Sequence, residues 1–395
     1  MSIKKKNIII ALALIAIIAI GSIFYFKSTE IKSVDGYLTD NYETENFTED
    51  GMSSAFKLID DSEGYNIFFT GEGHGNLGNE KINFQMLKFL YKEAGVKYLI
   101  CEMQYSIVSK LNKYIQGGDE ALLKDAVDVV KKRNPKYGGE DYYKFWQELY
   151  DYNKGLPNDK KIQAFGIDVD FMGDYTLKEM KSLIPNTKPP IEIENKVNDF
   201  IRISSGKVSE EEAITVFTNL NEDFSSNTQV YKTFLGDNFN DFKNNLNSMM
   251  NTIRYVKIQD PKDPYPDPAR DDFIYDNFMR IYEGNPRGKY YGQFGEGHIY
   301  RENILYDGKD YFTLAKMMEK QGKFKVLSIP IINNNQGILI NEAEKLAKYK
   351  FTIFKLNGKK SPYGKKIENL YTSYQNVLTN GTTVDNYQYL IYLSY

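Results

Sequence analysis

The stretch Tyr65-Asn66-Ile67-Phe68-Phe69-Thr70-Gly71-Glu72-Gly73-His74 sets a short apolar run against an abrupt glycine stop. An apolar run of that length, bounded by turn signals, reads as a buried strand. Beyond it, Ile82, Met86, Phe89 and Leu90 recur at helical spacing. A second apolar run spans Val96 to Cys101 and a third Ile162 to Ile167, with helical stretches filling Gln104 to Asn153 between them. Strand and helix in alternation predict an α/β fold, a mostly parallel sheet with helices on both faces.

Further along, the chain changes character. From Leu183 to Val256 it is polar, rich in Asn, Glu and Lys, and helical in period. The segment Asp260-Pro261-Lys262-Asp263-Pro264-Tyr265-Pro266-Asp267-Pro268 closes it as a stiff loop set by proline. Residues 183–268 therefore read as a helical insertion with the reach of a lid. The sheet pattern then resumes with a helix over Ala269 to Tyr282, a strand over Lys289 to Phe294, a helix over Thr313 to Lys320 and a strand over Lys323 to Ile329. Lys350 to Lys355 and Tyr387 to Leu393 are expected as strands on the far edge.

The N-terminus reads as a targeting segment. Lys4, Lys5 and Lys6 precede an uncharged apolar run from Ile8 to Phe26, closed by Lys27. A membrane-spanning helix needs about 17–25 such residues. The lysines are expected to stay on the cytoplasmic side, which puts the rest of the chain outside. Residues 1–27 are thus expected to form a single-pass anchor, or a cleaved signal that leaves a secreted protein. Residues 28–64 are expected as a linker and edge element, and 65–395 as the working α/β domain.

Composition narrows the function. A net charge of -3 with no basic run outside the N-terminus argues against nucleic-acid binding. The single cysteine, Cys101, excludes an intramolecular disulfide and any zinc cage of cysteines.

The chain has two histidines, and both stand in the same tetrapeptide. Gly71-Glu72-Gly73-His74 follows the first strand and Gly295-Glu296-Gly297-His298 a late one. In a parallel sheet both turns emerge at the carboxyl ends of strands, where open α/β folds build their sites. A histidine beside a carboxylate offers a base and a partner that fixes its tautomer. Glu102 and Asp168 directly follow the second and third apolar runs, on the same rim. Arg270 shares a helix face with Ile274, Asn277 and Ile281. The start of that helix is expected near the strand ends, where Arg270 pairs with Glu72, Glu102 or Glu296 and can stabilise an oxyanion.

With these residues placed, the chain resembles the erythromycin esterase-like group. The wider superfamily also holds the Tiki/TraB and haem-uptake-type proteins. The carrying residues are Gly71-Glu72-Gly73-His74-Gly75, Glu102, Gly166-Ile167-Asp168, Arg270-Asp271 with Asn277, and His298. The resemblance runs from about Tyr65 to the last strand. It implies a metal-free hydrolase in which His74 activates water against an ester or lactone carbonyl. Glu72 and Glu102 position His74 or the water, while His298 and Arg270 polarise the carbonyl or protonate the leaving oxygen. Glu296 joins the catalytic set, and Asp168 and Asn277 are expected to contact the substrate.

Two alternatives stand beside it. The turn at His74 has one residue fewer between Glu and His than the esterase branch usually has, and the turn at His298 is more similar to the Tiki/TraB side. His74, His298, Glu72 and Glu102 could instead hold manganese or zinc in a metal-dependent peptidase. The same cleft could also bind haem or another ligand, with His74 or His298 as an axial ligand.

Overall fold

In the computed structural model, residues 31–46, 53–76, 78–135, 138–206, 208–258, 269–306, 309–320, 322–334, 337–365, 370–373, 378–379 and 381–394 are described. The apolar N-terminal run and the 260–268 loop lie outside these residues. Among the described residues, no helix is long and apolar enough to cross a membrane.

The apolar runs form a central sheet of eight strands. They are β1 (Tyr42–Glu45), β2 (Ile67–Glu72), β3 (Tyr98–Gln104), β4 (Gln163–Asp168), β5 (Tyr290–Gly295), β6 (Val326–Asn333), β7 (Phe351–Lys355) and β8 (Tyr389–Leu393). Their order across the sheet is β1-β7-β8-β6-β2-β5-β3-β4. From β8 to β4 every neighbouring pair is parallel. β7 runs antiparallel between β1 and β8.

The runs are continuous because both faces of the sheet are covered. Side chains alternate: Phe68, Leu99, Tyr291 and Leu327 enter one core with α1 (Asn79–Glu93), α2 (Tyr105–Gly117), α3 (Glu120–Arg133) and α4 (Glu140–Lys154). Ile67, Phe69, Ile100, Tyr290 and Val326 enter the other, against Ile274, Phe278 and Met318. The helices of this second face span Ala269–Gly284 and Leu314–Lys320.

Two expectations need correction at the far flank. β7 and β8 are interior strands, and the edge is β1, from the segment expected as linker and edge. That segment also reaches the core: Phe56 is fully buried and packs edge-on against Phe351. Ala55, Phe56, Leu58 and Ile59 form a cluster too short to read as a helix or strand by periodicity.

The insertion is helical. After α5 (Gly173–Ser182), which precedes it, α6 (Glu194–Ile203), α7 (Glu210–Ser226), α8 (Thr228–Leu235) and α9 (Phe239–Ile258) pack around their own core of Val197, Phe200, Phe217, Leu220, Phe242 and Leu246. It is followed by α10 (Ala269–Gly284) and α11 (Leu314–Lys320).

Candidate active site

β2 and β5 are hydrogen-bonded neighbours, with Glu72 beside Gly295, so the two Gly-Glu-Gly-His turns leave the sheet side by side. Glycine is required at two of these positions because the turns touch. A Cβ on Gly71 would stand 2.5 Å from Ile299 Cδ1, and one on Gly295 would stand 2.8 Å from His74 Nε2.

His74 leans over Gly295. Its Nδ1 is 3.1 Å from Glu72 Oε1, and with the proton on Nδ1 the ring donates to that carboxylate. Glu72 is held in turn by Gln293, whose Nε2 donates to Oε2 at 2.7 Å. Nε2 of His74 lies 3.9 Å from Glu102 Oε1, and the side chain is 42% exposed. Burial works against a charge on this ring. The Glu72 hydrogen bond and the nearby carboxylates outweigh both burial and repulsion from His298, so its pKa is raised above 6.5.

Glu102 sits in an irregularity of β3. Two β3 residues, Glu102 and Met103, stand where β4 has only Ile167, between the pairs Cys101–Gly166 and Gln104–Asp168. A bulge of this kind bends a strand and re-aims its side chains. Here it turns Glu102 onto the rim. Glu102 accepts from the Gly295 N–H at 2.6 Å and from Arg270 Nη2 at 2.8 Å, and its Oε1 is 3.3 Å from His298 Nε2. Arg270, in the first turn of α10, also donates through Nε to Asp168 Oδ1 at 3.0 Å. Its Nη1 is 3.2 Å from His298 Nε2.

His298 is clamped on its other side by Asp271, which bonds Nδ1. Asp271 is fixed by the Leu314 N–H at the start of α11, 2.8 Å away. Burial opposes the charge on His298, but Asp271 and Glu102 push its pKa up to about 10. Burial likewise opposes ionisation of Glu102, yet His298, Arg270 and His74 hold it well below the ordinary carboxylate value. Arg270 and His298 are therefore standing cations, and Glu102 a standing anion, at neutral pH.

A cavity of about 680 Å³ is lined by Glu72, His74, Glu102, Asp168, Arg270 and Gln293, with Tyr142, Trp146 and Phe171 as aromatic wall; His298 and Asp271 are not part of its lining. Glu80 also lines it. Burial and the neighbouring Glu72 push its pKa up to about 8.

No family model matches the sequence, and no curated protein matches it. Among solved structures, a Bacillus cereus protein aligns with a TM-score of 0.67 at 15% identity, over 91% of this chain and 96% of its own. A succinoglycan biosynthesis protein aligns at 0.65 and 15%, with the same coverage. An erythromycin esterase, EreC, in its open conformation aligns at 0.57 and 12%, over 85% of this chain and 93% of its own. The chain shares the erythromycin esterase fold. At these identities the likeness is one of fold.

Within this erythromycin esterase-like fold, His74, Glu72, Glu102, Arg270 and His298 converge as expected from the sequence, and Asp168 joins them. Asp168 is buried and engaged by Arg270 and by the Val169 N–H, so it anchors the guanidinium. Glu296 and Asn277 are not part of the cavity wall. Glu296 accepts from the Tyr300 hydroxyl at 2.6 Å. Asn277 is buried and donates to the Ile167 and Asp168 carbonyls, while its own oxygen accepts from Asn251 and Arg280. It ties α10 to the end of β4.

Asp271 and Gln293 have site contacts that the sequence alone does not assign. Gln293 is a polar residue inside the apolar run of β5, and that anomaly is its only sequence signal. The fit for a metal is poor. Glu102 already accepts from a guanidinium and a backbone N–H, and both ring nitrogens of His298 face carboxylates. Among the described residues, no group of three His, Cys, Asp or Glu side chains is arranged to hold a metal ion.

Proposed function

We propose that the protein is an extracytoplasmic, membrane-anchored hydrolase of ester or lactone bonds, with His74 as general base. The observation that carries the reading is the Gln293–Glu72–His74 chain beside Arg270 on one cavity wall, with His298 packed against Arg270 and Glu102 outside the lining. A carboxylate that fixes one ring nitrogen leaves the other to take a proton. Water attacks the carbonyl carbon and its proton passes to His74 Nε2. The negative charge that develops on the carbonyl oxygen is met by Arg270, a cation fixed beforehand by Glu102 and Asp168, and the charge on His298 behind it adds to the positive field. Collapse breaks the bond to the alcohol oxygen, which recovers the proton from His74. The fold shared with an erythromycin esterase supports the reaction class. The apolar run from Ile8 to Phe26 supports the anchor.

The test is a panel of ester, lactone and peptide substrates, run with and without chelator, alongside metal content and the His74→Ala variant. The expected outcome is cleavage of ester or lactone that survives chelator and is abolished in a folded His74→Ala protein. Stoichiometric metal with chelator-sensitive peptide cleavage would overturn the proposal in favour of a metallopeptidase.

A further inference from the structure

A second cavity adjoins the site cavity, and Arg133, Phe171 and Met172 line both. The second cavity, about 860 Å³, runs between the end of α3 and the helical insertion, and its wall includes Leu177, Ala213, Ile214, Phe217, Met249 and Ile253. Phe171, 44% exposed, marks the junction. Its ring centroid lies 4.7 Å from the Arg133 guanidinium and 5.5 Å from that of Arg270, and Arg133 also donates to its carbonyl. Phe171 therefore touches the site cation Arg270 and lines the groove as well.

We propose that the groove is an acyl subsite. The substrate is an ester cleaved at His74 whose aliphatic acyl arm passes Phe171 and lies between α7 and α9. The proposal rests on the hydrolase reading and gives its substrate class. The groove wall is predominantly apolar, the character of a pocket for an aliphatic group. The side chains it shares with the reactive cavity favour the substrate itself as the occupant. It also gives the insertion a role, because α7 and α9 supply two sides of the groove.

The experiment uses the full chain in lipid nanodiscs and p-nitrophenyl esters from acetate to octanoate. While the chain is being buried, kcat/KM should rise by up to about fourfold per methylene. Ala213→Glu and Val256→Glu place a carboxylate in the groove wall, away from the reacting residues. Each should flatten the series and leave acetate cleavage unchanged. In parallel, an eight-carbon alkyl diazirine should photolabel Met249 or Ile253 in the wild type and not in Ala213→Glu. Ester cleavage with a flat series, or a series that both variants keep, would overturn the acyl subsite and leave the hydrolase standing. If no ester is cleaved but groove labelling is specific, the hydrolase reading fails and the aliphatic site stands. Neither cleavage nor groove labelling would overturn both.

Discussion

Glu102 stands near both histidines, yet the two rings are prepared for opposite tasks. His298 has a second carboxylate, Asp271, and is shielded, so it holds its proton up to about 10. His74 is hydrogen-bonded to Glu72, is more exposed and feels the repulsion of His298, and its pKa is raised above 6.5. The signs follow. His74 must lose its proton to act, so kcat/KM should climb with pH through a pKa above 6.5. His298 must keep its proton, so the rate should fall again as pH approaches about 10. A pH–rate profile checks both limbs, and His298→Gln should remove the alkaline one. A flat profile from 6 to 10 would remove both roles. The sequence presents the histidines as equals because their tetrapeptides are identical. What separates them is Asp271, a residue 27 positions from His298 that only the packing of α10 brings within reach.

The two identical tetrapeptides sit one residue out of step. In the paired strands Gly71 stands beside Phe294, and Glu72 beside Gly295. A one-residue offset reverses the side to which each following side chain points. Glu72 is still the last residue of β2 and faces the cavity. Glu296 has already entered the next turn and bonds Tyr300. That offset is why Glu296 does not reach the cavity with the expected catalytic set, and no reading of the chain without its pairing could have found it. The same close approach yields a test. In Gly295→Ala the new methyl group displaces His74. A displacement of about 1 Å costs on the order of a hundredfold in rate, so kcat/KM should fall that far while the melting temperature barely moves. Unchanged kinetics would mean that the His74 position is not critical. Most strands were legible in the apolar runs, since burial on both faces leaves an unbroken signal. The bulge that aims Glu102 was not, because an extra residue in one strand is defined only against its neighbour.

Among the described residues there are separate cores: one on one face of the sheet, two on the other, and another inside the insertion. Separate cores permit separate opening. Phe200 is fully buried in the insertion core, against Phe217 and Phe242. Phe200→Ala should cost that core about 3–5 kcal/mol. Hydrogen exchange should then accelerate across α6 to α9 and leave β2, β5 and β6 protected. Uniform acceleration would show a single cooperative unit. The insertion was legible as a change in composition. The groove it builds beside the reactive cavity was not, since Phe171 precedes the insertion and the groove forms only when α7 and α9 fold back toward it. The cavity wall also has an optical property. Trp146 is the sole tryptophan among 395 residues, and it forms part of that wall. Emission excited at 295 nm therefore comes from one indole in the candidate reaction chamber. The native protein, without label or substitution, can signal a guest's arrival through a shift in colour or intensity.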